Sequence, residues 1–442
     1  MNRCLVVLVL GLALTNVTLA QENTLKIELT AKNAPRNAPI CIPLSVPGTW
    51  AKFDEVSVDV ITGRDVVKTI GQLTAPGITT ESNKPAKEGL VRRDLHLVLP
   101  DGPVLELIVH FKKAPAQVTR FRWLGKVGEN EQLVLTRSGT LTPYLQYMHH
   151  PYDATSREAR DRSYKVFHHL YDPTGERLVT NGGFADPAIQ DQKLLFPHHR
   201  GIMYGFNKCS YGPDMKKQAD TWHCPPPSED KKKRPPVAHV GHEKTLAAET
   251  GPVLGRHRVL LGWYGDGDKP FALEERELTV YQVKGGTLVE FASRLKTTRG
   301  KIKVDGDPQH AGFQFRAHND VAAITKKQTY YLHPDGSKGE MGKERNWPGD
   351  KSMVDLPWYA MSFVLGKERY SVCYLNHPSN PKETRFSERD YGRFGGYFER
   401  EITEDRPLVV NYRLWLQNGE ITPEQARALA SAFAAPPNGR VK

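Results

Sequence analysis

At 442 residues and a formal net charge of +11, the chain is long enough for two domains, or for one large domain with an appendage. A positive balance would suit a polyanionic partner such as an acidic or sulfated polysaccharide. Much of the excess, however, sits in Lys231-Lys232-Lys233-Arg234 between prolines, the rest is scattered, and no nucleic-acid-binding motif accompanies it, which argues against nucleic acid as a partner.

Residues 1–20 read as a secretory signal. Arg3 supplies the positive start, Leu5 to Leu14 the apolar stretch and Thr18-Leu19-Ala20 a small-residue cleavage site. The stretch is too short to span a bilayer, and no other run of that kind follows. The mature chain is therefore expected to be exported (periplasmic or extracellular), without a membrane span, at +11 − 1 = +10. Export changes how cysteine is read. Beyond Cys4, the residues Cys41, Cys209, Cys224 and Cys373 allow up to two disulfides. Cys209 with Cys224 is the simplest pairing, and buried free thiols are the competing reading. A thiolate zinc site lacks the C-x-x-C spacing it needs.

Alternating segments at Leu25 to Leu29, Glu55 to Ile61, Asp94 to Leu99 and Val104 to Phe111 predict the strands of a small N-terminal β-domain, residues 21–125. It contains His96 and His110, but within strand patterns and without clustered Arg or Asn, so it is expected to be non-catalytic. A larger β-sandwich is predicted over residues 130–436. Its first polar landmark is Leu195-Phe196-Pro197-His198-His199-Arg200-Gly201, a turn stiffened by Pro and released by Gly, which runs into a strand at Ile202-Met203-Tyr204. Two imidazoles and a guanidinium offer proton transfer, oxyanion binding or metal ligation; a hydrogen-bonded core histidine is the plain alternative. Asp220-Thr221-Trp222-His223 adds a carboxylate, an aromatic ring and a third imidazole. On a strand, Asp220 and Trp222 would share one face, and Trp222 could equally anchor the core. The stretch Pro225 to Pro236 reads as a solvated loop.

Further strands are predicted at Arg276 to Val283, Thr287 to Phe291, Gly312 to Arg316, Pro357 to Leu365, Arg369 to Leu375 and Leu408 to Leu416. Arg316, His318 and Asn319 fall at a strand end, where sites often form. Asn376-His377-Pro378-Ser379-Asn380-Pro381 makes a strong turn, and Arg389-Asp390-Tyr391-Gly392-Arg393 could clamp an anion through its arginines, unless Asp390 simply pairs with one of them. At the C-terminus Thr422 as N-cap, Pro423 at the first helical position and Gln425 as capping-box partner open one amphipathic helix, Ala426 to Ala434.

The phrases Phe196-Pro-His-His-Arg-Gly, Asp220-Thr-Trp-His, Asn376-His-Pro-Ser-Asn-Pro, Arg389-Asp-Tyr-Gly-Arg-Phe-Gly and Asn411-Tyr-Arg-Leu resemble the PmoA family, exported bacterial proteins labelled "methane oxygenase PmoA" and mostly uncharacterised. The resemblance covers roughly Thr136 to Ala434. It implies a large antiparallel β-supersandwich similar to galactose mutarotases, which use histidine and carboxylate groups in an open cleft. No mutarotase catalytic motif is found here to carry across.

Three readings stay open. In the first the chain is a carbohydrate-active lyase, hydrolase or epimerase, with His199, Arg200, His223, His318, His377 and Arg389 catalytic and with His198, Asp220, Trp222, Asn319, Asn376, Tyr391 and Arg393 binding a glycan or sugar. In the second a subset of His198, His199, His223, His318 and His377 with a carboxylate binds zinc, copper or iron, although no H-x-x-x-H pair marks it. In the third the chain binds carbohydrate without catalysis, stacking it on Trp222, Trp358 and Tyr391. The motif segments are expected to converge on one cleft. The sequence names neither a cofactor nor an oligomeric state.

Overall fold

The computed structural model describes residues 23–29, 38–63, 65–82, 84–100, 106–112, 119–125, 131–180, 195–226, 237–340 and 342–442, together with Val104, Ala114 and Gln117. The expected signal at 1–20, Cys4 and the Lys231–Arg234 run lie outside the described residues. The protein is mostly β. Among the described residues, antiparallel strands form sheets of seven, eight, four and nine strands.

The small sheet runs Pro39–Pro47, Leu90–Val98, Asp65–Thr74, Glu55–Thr62, Glu106–His110, Thr24–Leu29 and Gly439–Val441 in spatial order. The strand Pro39–Pro47 carries Ile40, Ile42, Leu44 and Val46 inward at every second position, all buried. Its prolines hide it from a pattern search. They are tolerated because it is the edge strand, where a missing N–H breaks no interior ladder. The chain's last strand pairs with its first, Ile27 opposite Val441, so the C-terminus returns to complete this sheet.

The body is a sandwich. Its eight-stranded layer runs from Arg385–Arg389 through Arg393–Tyr397, Ala311–Arg316, Ile202–Phe206, Phe167–Leu170, Thr140–Met148 and Glu131–Arg137 to Thr119–Leu124. The last of these strands lies within the span predicted for the small domain but pairs with the body, so that domain ends before Thr119. The nine-stranded layer is built on His239–Glu249, Leu254–Tyr264, Ala272–Val283, Gly286–Thr297, Leu408–Asn418, Glu368–Asn376 and Trp358–Leu365, with Tyr330–Leu332 and Lys338–Glu340 at one edge. Alternate residues of the two layers meet between them. Phe313 stacks on Tyr412 with ring centroids 4.6 Å apart, and Phe394 meets Tyr359 edge-on at 4.8 Å. Burying rings of this size supplies most of the driving force for closing the sandwich.

Among the described residues three α-helices decorate these layers rather than the single helix predicted. The C-terminal helix, Pro423–Ala434, packs Ala426, Ala430 and Phe433 inward. Thr422 Oγ1 accepts from Gln425 N at 3.2 Å, but the Gln425 amide donates to Gln417 Oε1 instead of returning to the cap, so only half of the capping box forms. The short helices Arg157–Ser163 and Asn319–Ala323 start on side-chain caps at Ser156 and His318. Each is too brief to leave a periodic pattern.

All four described cysteines are free thiols, which overturns the Cys209–Cys224 pairing. Cys209 points into the sandwich core with its Sγ 3.7 Å from the Phe206 carbonyl, whereas Cys224 stays outside that core on a left-handed residue, φ 49°.

Candidate metal centre

The outer face of the eight-stranded layer carries Met203, Gln314, Arg316 and Arg393, because Phe313, Phe315 and Phe394 turn inward. On this face Met148, Phe167, Met203 and Trp222 form a small separate core. Two loops are pinned against it. Gly201 at φ 49° ends the histidine turn so close to the next strand that a Cβ would lie 2.2 Å from the His168 carbonyl oxygen. Asp220 to His223 is a turn and not the expected strand: Asp220 Oδ1 accepts from the backbone N–H of Trp222 at 3.0 Å and of His223 at 2.8 Å. Lys165, 5 % exposed, ties the loops together, its ammonium donating to the His198 carbonyl at 3.0 Å and to that of Trp222.

This scaffold brings His198, His199 and His223 together, and adds His310. Ring centroids are 4.2 Å apart for His198–His199, 5.0 Å for His198–His223, 4.5 Å for His223–His310 and 5.4 Å for His199–His310. One ring nitrogen each from His198, His199 and His310 falls within 4.8 Å of the others. Two carboxylates stand behind the rings: Asp220 Oδ2 is 2.8 Å from His223 Nδ1, and Asp307 Oδ1 is 2.9 Å from His310 Nδ1. A carboxylate accepts, so both Nδ1 atoms carry the proton and both Nε2 atoms present a lone pair. His199 is oriented the other way. Its Nε2 lies 3.4 Å from the Tyr391 hydroxyl, while its buried Nδ1 has no partner.

The electrostatics disfavour protonation of His198 and His199. Burial, reinforced by Lys165 and the neighbouring imidazoles, lowers His198 to about 3. Burial, His198 and Arg393 push His199 well below the usual histidine range. Asp307 resists the cost of its burial because hydrogen bonds from His310, the Gln309 N–H and the Asn207 amide hold its carboxyl below the ordinary carboxylate range. Converging ring nitrogens, with carboxylates behind His223 and His310, form a ligand set suited to a cation.

The remaining predicted residues divide. Trp222 meets His199 edge-on at 5.6 Å, and Tyr391 stacks at 4.0 Å on Phe196. Arg200 spends its donors on the carbonyls of Pro197 and Asp161 and its face on Tyr164, and Arg393 donates to Pro308 O, Gln314 Oε1 and Ser387 Oγ, so both brace the scaffold. His318 caps its helix by accepting from Asp320 N, Asn319 Oδ1 accepts from Leu195 N, and Arg389 donates to the Glu388 carbonyl. Asn376 accepts from the Asn380 amide within its turn, and His377 lies edge-on to Phe433 of the C-terminal helix. Since Phe433 also lies against outward-facing Arg413 of the nine-stranded layer, His377 is on the opposite face of the sandwich from His199. The segments do not converge on one cleft.

Asp307 and His310 escaped the sequence reading, although a signal existed: both carboxylate–histidine pairs share the spacing Asp-x-x-His, 220 with 223 and 307 with 310. A second unread set lies between the layers, where His257 Nε2 is 3.2 Å and His149 Nε2 3.7 Å from the two oxygens of buried Glu131. Burial opposes ionisation of Glu131, but both histidines outweigh it and hold the carboxyl at about 2.

The chain belongs to a family of unknown function, DUF6807, whose model matches residues 132–431. No curated protein matches it. A solved structure described as a protein in glycosyl hydrolase family 38 from Enterococcus faecalis is similar at 9 % identity and a TM-score of 0.41 over 95 % of this chain. The chain spans about half, 47 %, of that structure's length.

Proposed function

We propose that this member of the family is an exported, metal-dependent carbohydrate-active protein whose centre is His198, His199, His223 and His310. The observation that carries the metal is the approach of one ring nitrogen each from His198, His199 and His310 to within 4.8 Å of one another. Imidazole sets of this kind suit zinc, copper, nickel or iron. A bound divalent metal would supply Lewis acidity toward a sugar oxygen or lower the pKa of a water. Asp220 and Asp307 fix the tautomers of their histidines, Lys165 holds the two loops in register, and Tyr391 orients His199. The sugar is supported by an aromatic platform beside the centre: Phe196, 41 % exposed, lies stacked on Tyr391 at 4.0 Å, and a flat ring face of this kind accommodates the C–H face of a pyranose.

The test is metal analysis of the full chain purified without chelator, followed by calorimetric titration with zinc and copper. One equivalent per chain is expected, with binding weakened at least tenfold, about 1.4 kcal/mol, in His310→Ala. If the native chain binds neither metal more tightly than a His198→Ala/His310→Ala double variant, the metal reading fails. The Asp–His pairs would then stand as acid/base groups.

A further inference from the structure

On the opposite face of the body the small sheet leans over the nine-stranded layer and encloses a cleft of about 400 Å³. The register builds its floor. Arg256, Thr279, Glu290 and Arg413 are paired neighbours in one row across four strands, and Glu277, Ala292 and Asn411 form the next. Cys41, Asp94 and His96 of the small sheet form the roof, and the turn of His377 and Ser379 closes one side.

The chemistry of the lining restricts what can enter. Both floor guanidiniums are already paired, Arg413 Nε with Glu290 at 2.5 Å and Arg256 with Glu249 at 3.2 Å and Glu277 at 3.8 Å. No lining arginine is left to hold an anion, and the lining carries three carboxylates, Asp94, Glu277 and Glu290, against two guanidiniums. A metal is disfavoured as well. Cys41, Asp94 and His96 have ligand spacing, but Arg256 Nη2 stands 3.3 Å from His96 Nε2 and puts a cation at the lone pair a metal would need. One acceptor of the lining lacks a donor. Glu277, 6 % exposed, lines the cleft with Oε2 buried and unpartnered. A buried acceptor left unmatched costs about 1–3 kcal/mol, and a ligand hydroxyl would satisfy it. Pro39, Pro43 and Val409 provide apolar wall beside these polar groups.

We infer that this cleft binds a neutral polyhydroxylated ligand, a single sugar ring, between the small domain and the nine-stranded layer. The ring's hydroxyls donate to Glu277 Oε2 and exchange hydrogen bonds with His377, Ser379 and Asn411, while its C–H face rests on the prolines and Val409. The small domain, expected to be non-catalytic, is thus half of a binding site. This site is independent of the metal centre.

The experiment is calorimetric titration of the full chain with neutral hexoses and their disaccharides, with galacturonate as the anionic control. With chelator present, so that the metal centre does not contribute, one neutral sugar site per chain is expected. Val409→Trp, at a position 39 % exposed on the cleft wall, should weaken it at least tenfold, and Glu277→Gln several-fold. His310→Ala should leave it unchanged. Val409→Trp lies at the surface and keeps the test valid if Glu277→Gln fails to fold. Three results would overturn the inference: no neutral sugar bound at about 10 mM, binding that survives Val409→Trp, or binding lost in His310→Ala. The last would place the sugar at the histidines. Disaccharide binding equal to that of the hexose fits a glycan end; binding of the hexose alone fits a free sugar.

Discussion

Replacing Lys165 by Met tests whether the two histidine loops are held by one buried cation. Met has nearly the length and volume of the lysine stem, so packing against Trp222 and Tyr164 is largely kept. What is lost is the pair of donated hydrogen bonds to the His198 and Trp222 carbonyls, both made where the ammonium is 5 % exposed. Each carbonyl deprived of its donor costs about 1–3 kcal/mol, so two cost about 2–6 kcal/mol. Relief from burying a charge returns part of this, and a net loss of about 2–4 kcal/mol is expected. Thermal melting of the full chain should show a fall of several degrees. Zinc affinity should fall with it, because His198 and the Asp220–His223 turn lose their common tie. Lys165→Arg, which restores a cation of a different shape, should recover only part of the loss. A Lys165→Met chain that melts and binds zinc like the native protein would refute this account of how the loops are held.

Asp307→Asn should reduce zinc affinity about 10–100-fold with an unchanged circular dichroism spectrum, since the carboxylate orients His310; undiminished affinity would remove Asp307 from the centre. His377→Ala should leave zinc binding intact while weakening sugar binding, because the residue sits on the other face of the sandwich; loss of zinc would contradict that placement. Glu131 has its pKa lowered in the folded state from 4.5 to about 2, so its contribution to stability is complete above 4.5 and disappears as pH falls through about 2. Melting temperatures of the native chain and Glu131→Gln should therefore differ most above pH 4.5 and converge toward about 2, and a pH-independent gap would refute the linkage. Denaturation without reductant should expose thiols at all four of Cys41, Cys209, Cys224 and Cys373, whereas a hidden Cys209–Cys224 bond would leave two.

Local patterns made much of the architecture legible. The alternation at Leu408 to Leu416 and at Arg276 to Val283 marked strands that lie in the nine-stranded layer, and Thr422-Pro423 marked the start of the last helix. Pro39–Pro47 was missed because proline argues against a strand until one knows that the strand is an edge. The turn expected to present a glycan-binding Asn376 instead closes on itself. Asn380 donates to the Asn411 carbonyl at 2.7 Å and accepts from its N–H at 2.7 Å, a side chain acting as a strand partner.

By itself the sequence determined which residues could alternate, turn or cap, since these depend on neighbours within a few positions of the chain. It also placed His198 and His199 on a rigid turn rather than in a strand. Only the tertiary structure decided that His310, more than a hundred residues from His198, completes their cluster while His377 faces the other way. In an antiparallel sandwich a side chain's face is set by strand register, a one-residue slip reverses it, and register is chosen by the packing of the whole core rather than by any local pattern.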